Sequence, residues 1–305
     1  MNITDAHVHL ITAGMADSAY HRYLKLFPAF PDAVRHNAQK LFGGGFPEYL
    51  AQTTIEQQAR EWLSQMDKHG VSRVVFFPIA ERLEEMRDFI RHAPGRFYGY
   101  AFIEEPAGET APVRLKTAVN EFGLCGLKLY PSIQMFHPGD AALFPLYEEA
   151  QSLGIPITFH FGISNAPIAD YRFVNPMEIQ LPLKLFPRLN FIIAHFGAGY
   201  FREACLLGFH NKNIHLDTSG TNNWREYTPE KMPLEEVFRR AVAIYSAERI
   251  LFGTDSLLRP GAGYRGAIKE EQIGIVQRIG ISESEQALVM GENAERLLAR
   301  DGSAP

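Results

Sequence analysis

The sequence predicts a (β/α)8 barrel, an α/β fold in a single domain, and three observations carry that expectation. Eight short stretches of strand character alternate strictly with amphipathic helical stretches along 305 residues. The strand-like stretches are apolar almost throughout, the pattern of parallel strands buried on both faces. Their ends fall near residues 9, 79, 104, 131, 162, 197, 220 and 256. After the first, these spacings leave room for the dozen or more residues that a parallel crossover needs. A doubly wound open sheet is the competing architecture, but no G-x-G-x-x-G fingerprint supports it.

Each element has a local cause. Residues 3–10 form the first strand and contain Asp5-Ala6-His7-Val8-His9. Side chains alternate faces along a strand, so His7 and His9 point the same way. Residues 11–52 then run without a clean period, rich in aromatics (Tyr20, Tyr23, Phe27, Phe30, Phe46, Tyr49) and broken by Gly43-Gly44-Gly45. So long an insertion in a compact domain reads as a cap of short helices over a functional site. Thr53 or Thr54 caps the next helix, with Glu56 or Gln57 completing a capping box. Ile55, Ala59, Trp62, Leu63 and Met66 share its apolar face, and Gly70 ends it. Residues 71–79 are the second strand, a helix through Leu83, Met86, Phe89 and Ile90 stops before Pro94, and 96–103 are the third strand. Pro112 suits a first helical position, and Leu115, Ala118, Val119 and Phe122 carry that helix to Gly123. Strands four to eight are 125–130, 155–161, 190–196, 214–218 and 250–254. Helices through Leu146 and Ala150, after Asn175-Pro176, around 204–208 and over about 234–245 connect them. Two helices close the chain, the last opened by Ser282 with Glu285 in a capping-box position. One domain over 1–305, with 11–52 as its cap, is the expected organisation.

Bulk composition narrows the function. Hydrophobic content of 46% and charged content of 21% are those of an ordinary globular chain. A net charge of −5 gives nucleic acid or an anionic membrane no electrostatic handle. Cys125 and Cys205 are far apart in apolar segments, which argues against a disulfide framework. The chain opens on a strand without a basic or apolar leader, and no apolar run reaches the length of a membrane span. A cytoplasmic enzyme acting on a small molecule is the expectation.

Barrel sites form at the C-terminal ends of the strands. Those ends carry His7 and His9, then Lys128, His160, His195 and Asp255, in contexts such as FHFG, AHFG and FGTDS. Taken singly, a hydrogen-bonded core histidine, a loop-capping carboxylate or a buried salt bridge of Lys128 is the ordinary explanation. Taken together on one barrel, they point to a metal site.

The set DAHVH, MDKHGVSRVVFFP, GLKLYP, TFHFG, IIAHFG, LFGTDS and GENAERLL spans nearly the whole chain. It resembles the amidohydrolase superfamily, in particular the amidohydrolase-2 branch that includes aminocarboxymuconate-semialdehyde decarboxylase-like enzymes. The resemblance implies one catalytic divalent metal held by His7, His9, His160 and Asp255, with His195 beside it. Such a donor set suits zinc first, then manganese, iron or nickel. It further implies that Asp255 takes a proton from a water acidified by the ion and returns it to the leaving group. His195 would polarise the scissile carbonyl or stabilise the oxyanion. The implied reaction is hydrolysis of a C–O or C–N bond, as in a lactone or amide, in a small carboxylated molecule. Non-oxidative decarboxylation of an aromatic or muconate-type acid, which this branch also performs, is the rival. Some of those decarboxylases carry glutamate where this chain has His7, which favours hydrolysis. A non-catalytic metal-binding barrel is a third reading.

A carboxylate substrate calls for an arginine. Arg22, Arg35 and Arg172 are the candidates, and Arg225, Arg259 and Arg265 also lie in segments that can cover the site. Lys128 faces either an acidic partner or a substrate carboxylate. In the binuclear branch of the superfamily, a lysine carbamylated by CO2 bridges two metals, but the motifs around Lys128 resemble the mononuclear branch. The resemblance also implies a homodimer.

Overall fold

A computed structural model describes residues 2–166, 168–229 and 231–299, apart from the side chains of 40–42. The ends of the expected domain, Met1 and residues 300–305, lie outside the described residues. The strands are β1 (Thr4–His9), β2 (Arg73–Phe77), β3 (Phe97–Gly99), β4 (Leu127–Leu129), β5 (Ile157–Phe159), β6 (Phe191–Ile193), β7 (Ile214–Asp217), β8 (Ile250–Leu251) and the short β9 (Ser256–Leu257). All pair in parallel, in the orders β3-β2-β1-β9 and β4-β5-β6-β7-β8. Backbone hydrogen bonds continue across both seams. Ala101 N to Gly126 O and Lys128 N to Ala101 O, each 2.8 Å, join the end of β3 to β4. Ala6 N to Phe252 O and Asp255 N to His7 O, also 2.8 Å each, join β1 to the continuation of β8. The strand positions therefore run in a ring, the arrangement of a (β/α)8 barrel.

The paired strands are shorter than the apolar stretches in the sequence. β5 keeps only Ile157–Phe159 of the expected 155–161, although Pro156 O and His160 N still bond to Leu127 N and Leu129 O of β4. Helices α4 (Ile55–His69), α5 (Leu83–Ile90), α6 (Ala111–Asn120), α8 (Phe144–Ser152), α9 (Gln180–Leu185), α10 (Phe201–His210) and α11 (Leu234–Tyr245) follow their strands, with a one-turn α7 (Pro131–Gln134) after β4. Thr54 and Gln57 form the expected capping box of α4. That helix buries Trp62 edge-on against Phe76, whose ring in turn meets Phe89 of α5 and Phe97 of β3. Each such fully buried ring contributes about 1.5–3 kcal/mol.

One departure from the expected fold matters. Within residues 11–52, where short helices are expected, α1 (Ala13–Leu26) and α2 (Pro31–Phe42) are of ordinary length, and only α3 (Phe46–Gln52) is short. Met15, Ala19 and Tyr23 pack α1 into the main core, which gives the aromatic-rich segment something to fold on. The chain closes with the two expected helical stretches: α12 (Gly266–Arg278), and a second that opens at Ser282 and runs unbroken through α13 (Glu283–Ala287), a π turn over Leu288–Glu292 and α14 (Asn293–Leu298). The wide turn lays Gly291 against β1, where a Cβ would lie 2.7 Å from Asn2 O. It also directs α14 beneath the barrel, where Ala294 and Leu297 pack against Ala6, Ile192 and Leu251. The bottom is filled, and the site is left to the other end. No helix among the described residues is long and apolar enough to cross a membrane.

Candidate metal centre

β1 delivers its histidines through a bulge. Asp5 pairs with Val74 and Val8 with Phe76, so one extra residue of β1 is accommodated between them, and such a kink re-aims side chains beside a site. Asp5 holds the kink in place. Its Oδ1 accepts from His7 N at 3.0 Å and Thr254 N at 3.1 Å, and its Oδ2 from Thr254 Oγ1 at 2.6 Å. Burial pushes the Asp5 carboxyl up to about 7, while these hydrogen bonds act in the opposite sense. Gly253 is required by closeness rather than by conformation. A Cβ there would stand 2.8 Å from Ser219 Cβ and 2.9 Å from His7 Cβ.

The other strand ends turn sharply. His195, Phe196 and Ala198 after β6 have φ of 56°, 53° and 43°, and Asp255 after β8 has φ of 58°. Left-handed backbone at non-glycine residues is strained and concentrates at functional sites.

These turns bring the predicted residues together. His9 Nε2 lies 3.1 Å from Asp255 Oδ1, and His7 Nε2 lies 3.8 Å from the same oxygen. His195 Nε2 lies 3.2 Å from His160 Nδ1. The ligand atoms of His7, His195 and Asp255 all fall within 4.8 Å of one another. His195 thus sits within the cluster, where the resemblance places it beside the ion.

Hydrogen bonds set the imidazole protons. His7 Nδ1 donates to the Asp217 carboxylate, which leaves the Nε2 lone pair facing the cluster. His160 Nε2 donates to Ile163 O at 3.1 Å, and His195 Nδ1 donates to Ser219 O at 3.1 Å. The lone pairs of His160 Nδ1 and His195 Nε2 consequently face each other. Two facing acceptors repel unless a cation lies between them, and tetrahedral zinc–nitrogen bonds place nitrogens about 3.3 Å apart. Buried His7 Nε2 and His9 Nδ1 have no hydrogen-bond partner. Burial holds His7, His160 and His195 below the usual histidine range, with Lys128 adding to the effect at His7 and His195 at His160. Burial alone would raise Asp255, but the His9 hydrogen bond and the electrostatics of the surrounding imidazoles hold it well below the usual carboxylate range. Neutral imidazoles around a carboxylate are the protonation states a divalent metal binds, so the residues present fit such an ion.

Asp217 and Ser219 are the residues that sequence reasoning missed. Asp217 fixes the His7 ring, and Ser219 Oγ touches His7 Nδ1 at 3.0 Å and His195 Nδ1 at 2.8 Å. The available signal was an acid among small residues at a strand end, LDTSG, like that around Asp255.

The remaining candidates separate. Lys128 is wholly buried, with Nζ 4.6 Å from the Phe77 ring centre and 4.9 Å from that of Tyr130. Nζ has no hydrogen-bond partner, so the expected acidic partner is replaced by two aromatic faces, and burial pushes the amine down to about 7. Arg22 of α1 is also buried, its guanidinium lying over Tyr23 and Phe102 with all three nitrogens unpartnered. Arg35 and Arg172 are exposed and pair with Asp32 and Asp170. Neither lines the cavity of about 410 Å³ above the cluster. Its walls include His9, His160, His195 and Asp255 together with Tyr23 of α1 and Phe46 of α3, and Arg259 and Arg265.

Comparison with known proteins agrees with this architecture. No curated protein matches the chain. Among solved structures, it resembles 5-carboxyvanillate decarboxylase from Sphingomonas paucimobilis, at 15% identity and a TM-score of 0.67, over 97% of this chain and 98% of that one. It also resembles a dihydroxybenzoic acid decarboxylase from Polaromonas sp. JS666 with bound manganese, at 19% identity and a TM-score of 0.59, over 98% and 97%. A Pseudomonas putida protein assigned as a 2-pyrone-4,6-dicarboxylic acid hydrolase aligns at 17% identity and a TM-score of 0.59, over 97% of each chain. At these identities the likeness is one of fold. The family pattern described as Amidohydrolase matches residues 4–300, and the chain belongs to the amidohydrolase family.

Proposed function

We propose that the chain is a metal-dependent hydrolase that cleaves a C–O or C–N bond, such as that of a lactone or amide, in a small carboxylated molecule. The family places it among hydrolases and carboxy-lyases. The observation that carries the metal-dependent reading is the pair of facing lone pairs on His160 and His195 beside Asp255. His7, His9, His160 and Asp255 would hold one ion, zinc in the first instance, with His195 close enough to join them. When bound, such an ion supplies Lewis acidity that brings the pKa of water to roughly 7.

The chain's own groups do the rest. Asp255 accepts the proton of the attacking water at its carboxylate and returns it to the leaving group. His195, with Nδ1 toward Ser219 O, turns its Nε2 to the cluster, where it joins the ligands as a lone pair or, when protonated, polarises the scissile carbonyl or stabilises the oxyanion. Arg22 and Lys128, buried cations beside the cavity-lining Tyr23 and Tyr130, are proposed to receive the substrate carboxylate. The exposed, already paired Arg35 and Arg172 drop out of that role. The cap of α1 to α3 closes this single domain over the substrate, and Cys125 and Cys205, not joined by a disulfide, suit a cytoplasmic setting.

Non-oxidative decarboxylation is the second reading, favoured by the decarboxylases among the structures of the same fold. A screen of metal-loaded protein against lactones, amides and aromatic acids, with released CO2 measured in parallel, separates the two. Turnover of a lactone or amide without CO2 supports the hydrolase. Turnover of an aromatic acid with stoichiometric CO2 replaces it with the lyase.

A further inference from the structure

We infer that Arg265 is a positioning residue for Asp255, holding one carboxylate oxygen so that only the other is offered to the imidazoles; this rests on the metal-centre reading above. Asp255 Oδ1 faces His9 Nε2 at 3.1 Å and His7 Nε2 at 3.8 Å. Oδ2 lies 3.3 Å from Arg265 Nη1. The backbone of Asp255 is already fixed, left-handed and tied through its N–H to His7 O at 2.8 Å. What remains free is rotation of the carboxylate, which would exchange its two oxygens. A donor on Oδ2 stops that rotation, and a guanidinium presents its donors in a fixed plane suited to the task.

The arginine is placed by the same hydrogen-bonded chain that places His7. Arg265 N donates to Ser256 Oγ at 2.9 Å, and Ser256 Oγ to Thr254 Oγ1 at 2.6 Å. Thr254 Oγ1 donates to Asp5 Oδ2 at 2.6 Å, and Asp5 Oδ1 accepts from His7 N at 3.0 Å. All hydroxyl protons in this relay point one way, so its bonds reinforce one another. The Arg265 side chain is 37% exposed, and ion pairs so exposed add little to stability. Its contribution is therefore to geometry at the site.

The test is Zn²⁺ affinity of the full chain, measured by competition with a chromophoric chelator, for the native protein, Arg265→Met and Arg265→Lys. Losing a partner that orients a ligand weakens metal binding by about 10–100-fold. That loss is expected for Arg265→Met with an unchanged melting temperature, and Arg265→Lys should recover part of it. Should the methionine variant fail to fold, Arg265→Gln, which keeps a donor without the charge, is expected to lose affinity by a smaller factor. Affinity equal to or tighter than native in the neutral variants overturns the inference, because that is what removing a merely repelling cation would give. A native chain that binds neither Zn²⁺ nor Mn²⁺ overturns the metal centre itself, and the inference with it.

Discussion

His7 and Asp217 are joined across the barrel, the Nδ1 of one to the carboxylate of the other, from positions 210 residues apart. The contact settles which His7 nitrogen carries the proton and leaves Nε2 free for a metal. Asp217→Asn keeps the shape and removes the charge. We expect metal affinity about 10–100-fold weaker with the fold intact, read by metal content after dialysis against a graded chelator. Native affinity in that variant would remove Asp217 from the site.

Asp255→Asn tests proton transfer. Asparagine can still coordinate but cannot accept a proton, so activity on any substrate the native protein turns over should fall by about 10²-fold or more. The measurement is kcat at saturating metal. A near-native value would assign the proton to another group.

Gly253→Ala tests the closeness of the strand ends. The new Cβ meets the Cβ atoms of Ser219 and His7 at 2.8 and 2.9 Å, and neither can rotate away. Overpacking of this kind costs about 1–3 kcal/mol, and here it pushes directly on a proposed ligand. A lower melting temperature together with reduced metal retention is expected. A variant with native values of both would show that β1 and β7 have slack at this level.

His215, buried on β7, supplies a pH dependence. Burial, and then the charges of Arg296 and Arg249, push it down to about 3 from its ordinary 6.5. Between those values the unfolded chain binds a proton that the folded chain refuses, so stability falls as pH drops from about 6.5 toward 3. At pH 5 the loss is about 2 kcal/mol from this residue. His215→Leu should narrow the difference in melting temperature between pH 7 and pH 5. An unchanged difference would place the acid sensitivity elsewhere.

Much of the fold was legible because it is locally encoded. Thr54 with Gln57 and Ser282 with Glu285 form the capping boxes their spacing predicts, and α11 begins and ends where its periodicity does. His7, His9, His160, His195 and Asp255 were legible as candidates because each stands at the end of an apolar stretch. Asp217 was not, since its role exists only once β1 and β7 face each other. The bulge in β1 was equally hidden, being a matter of register between strands far apart in the chain. The arginines divided by burial, which composition does not report: Arg22 is buried on α1 between aromatic rings without a hydrogen-bond partner, while Arg35 and Arg172 sit in solvent beside their acids.

The latch at Asp5 has a consequence for how the enzyme comes into being. Its carboxylate gathers donors from residues 7 and 254, so the first strand is held by nearly the last. A chain emerging in order from its N-terminus exposes both β1 histidines long before their acceptor loops exist. Closing a contact of such long sequence separation costs chain entropy, and a chain still lacking residue 254 carries the β1 histidines without the loops that surround them in the complete fold.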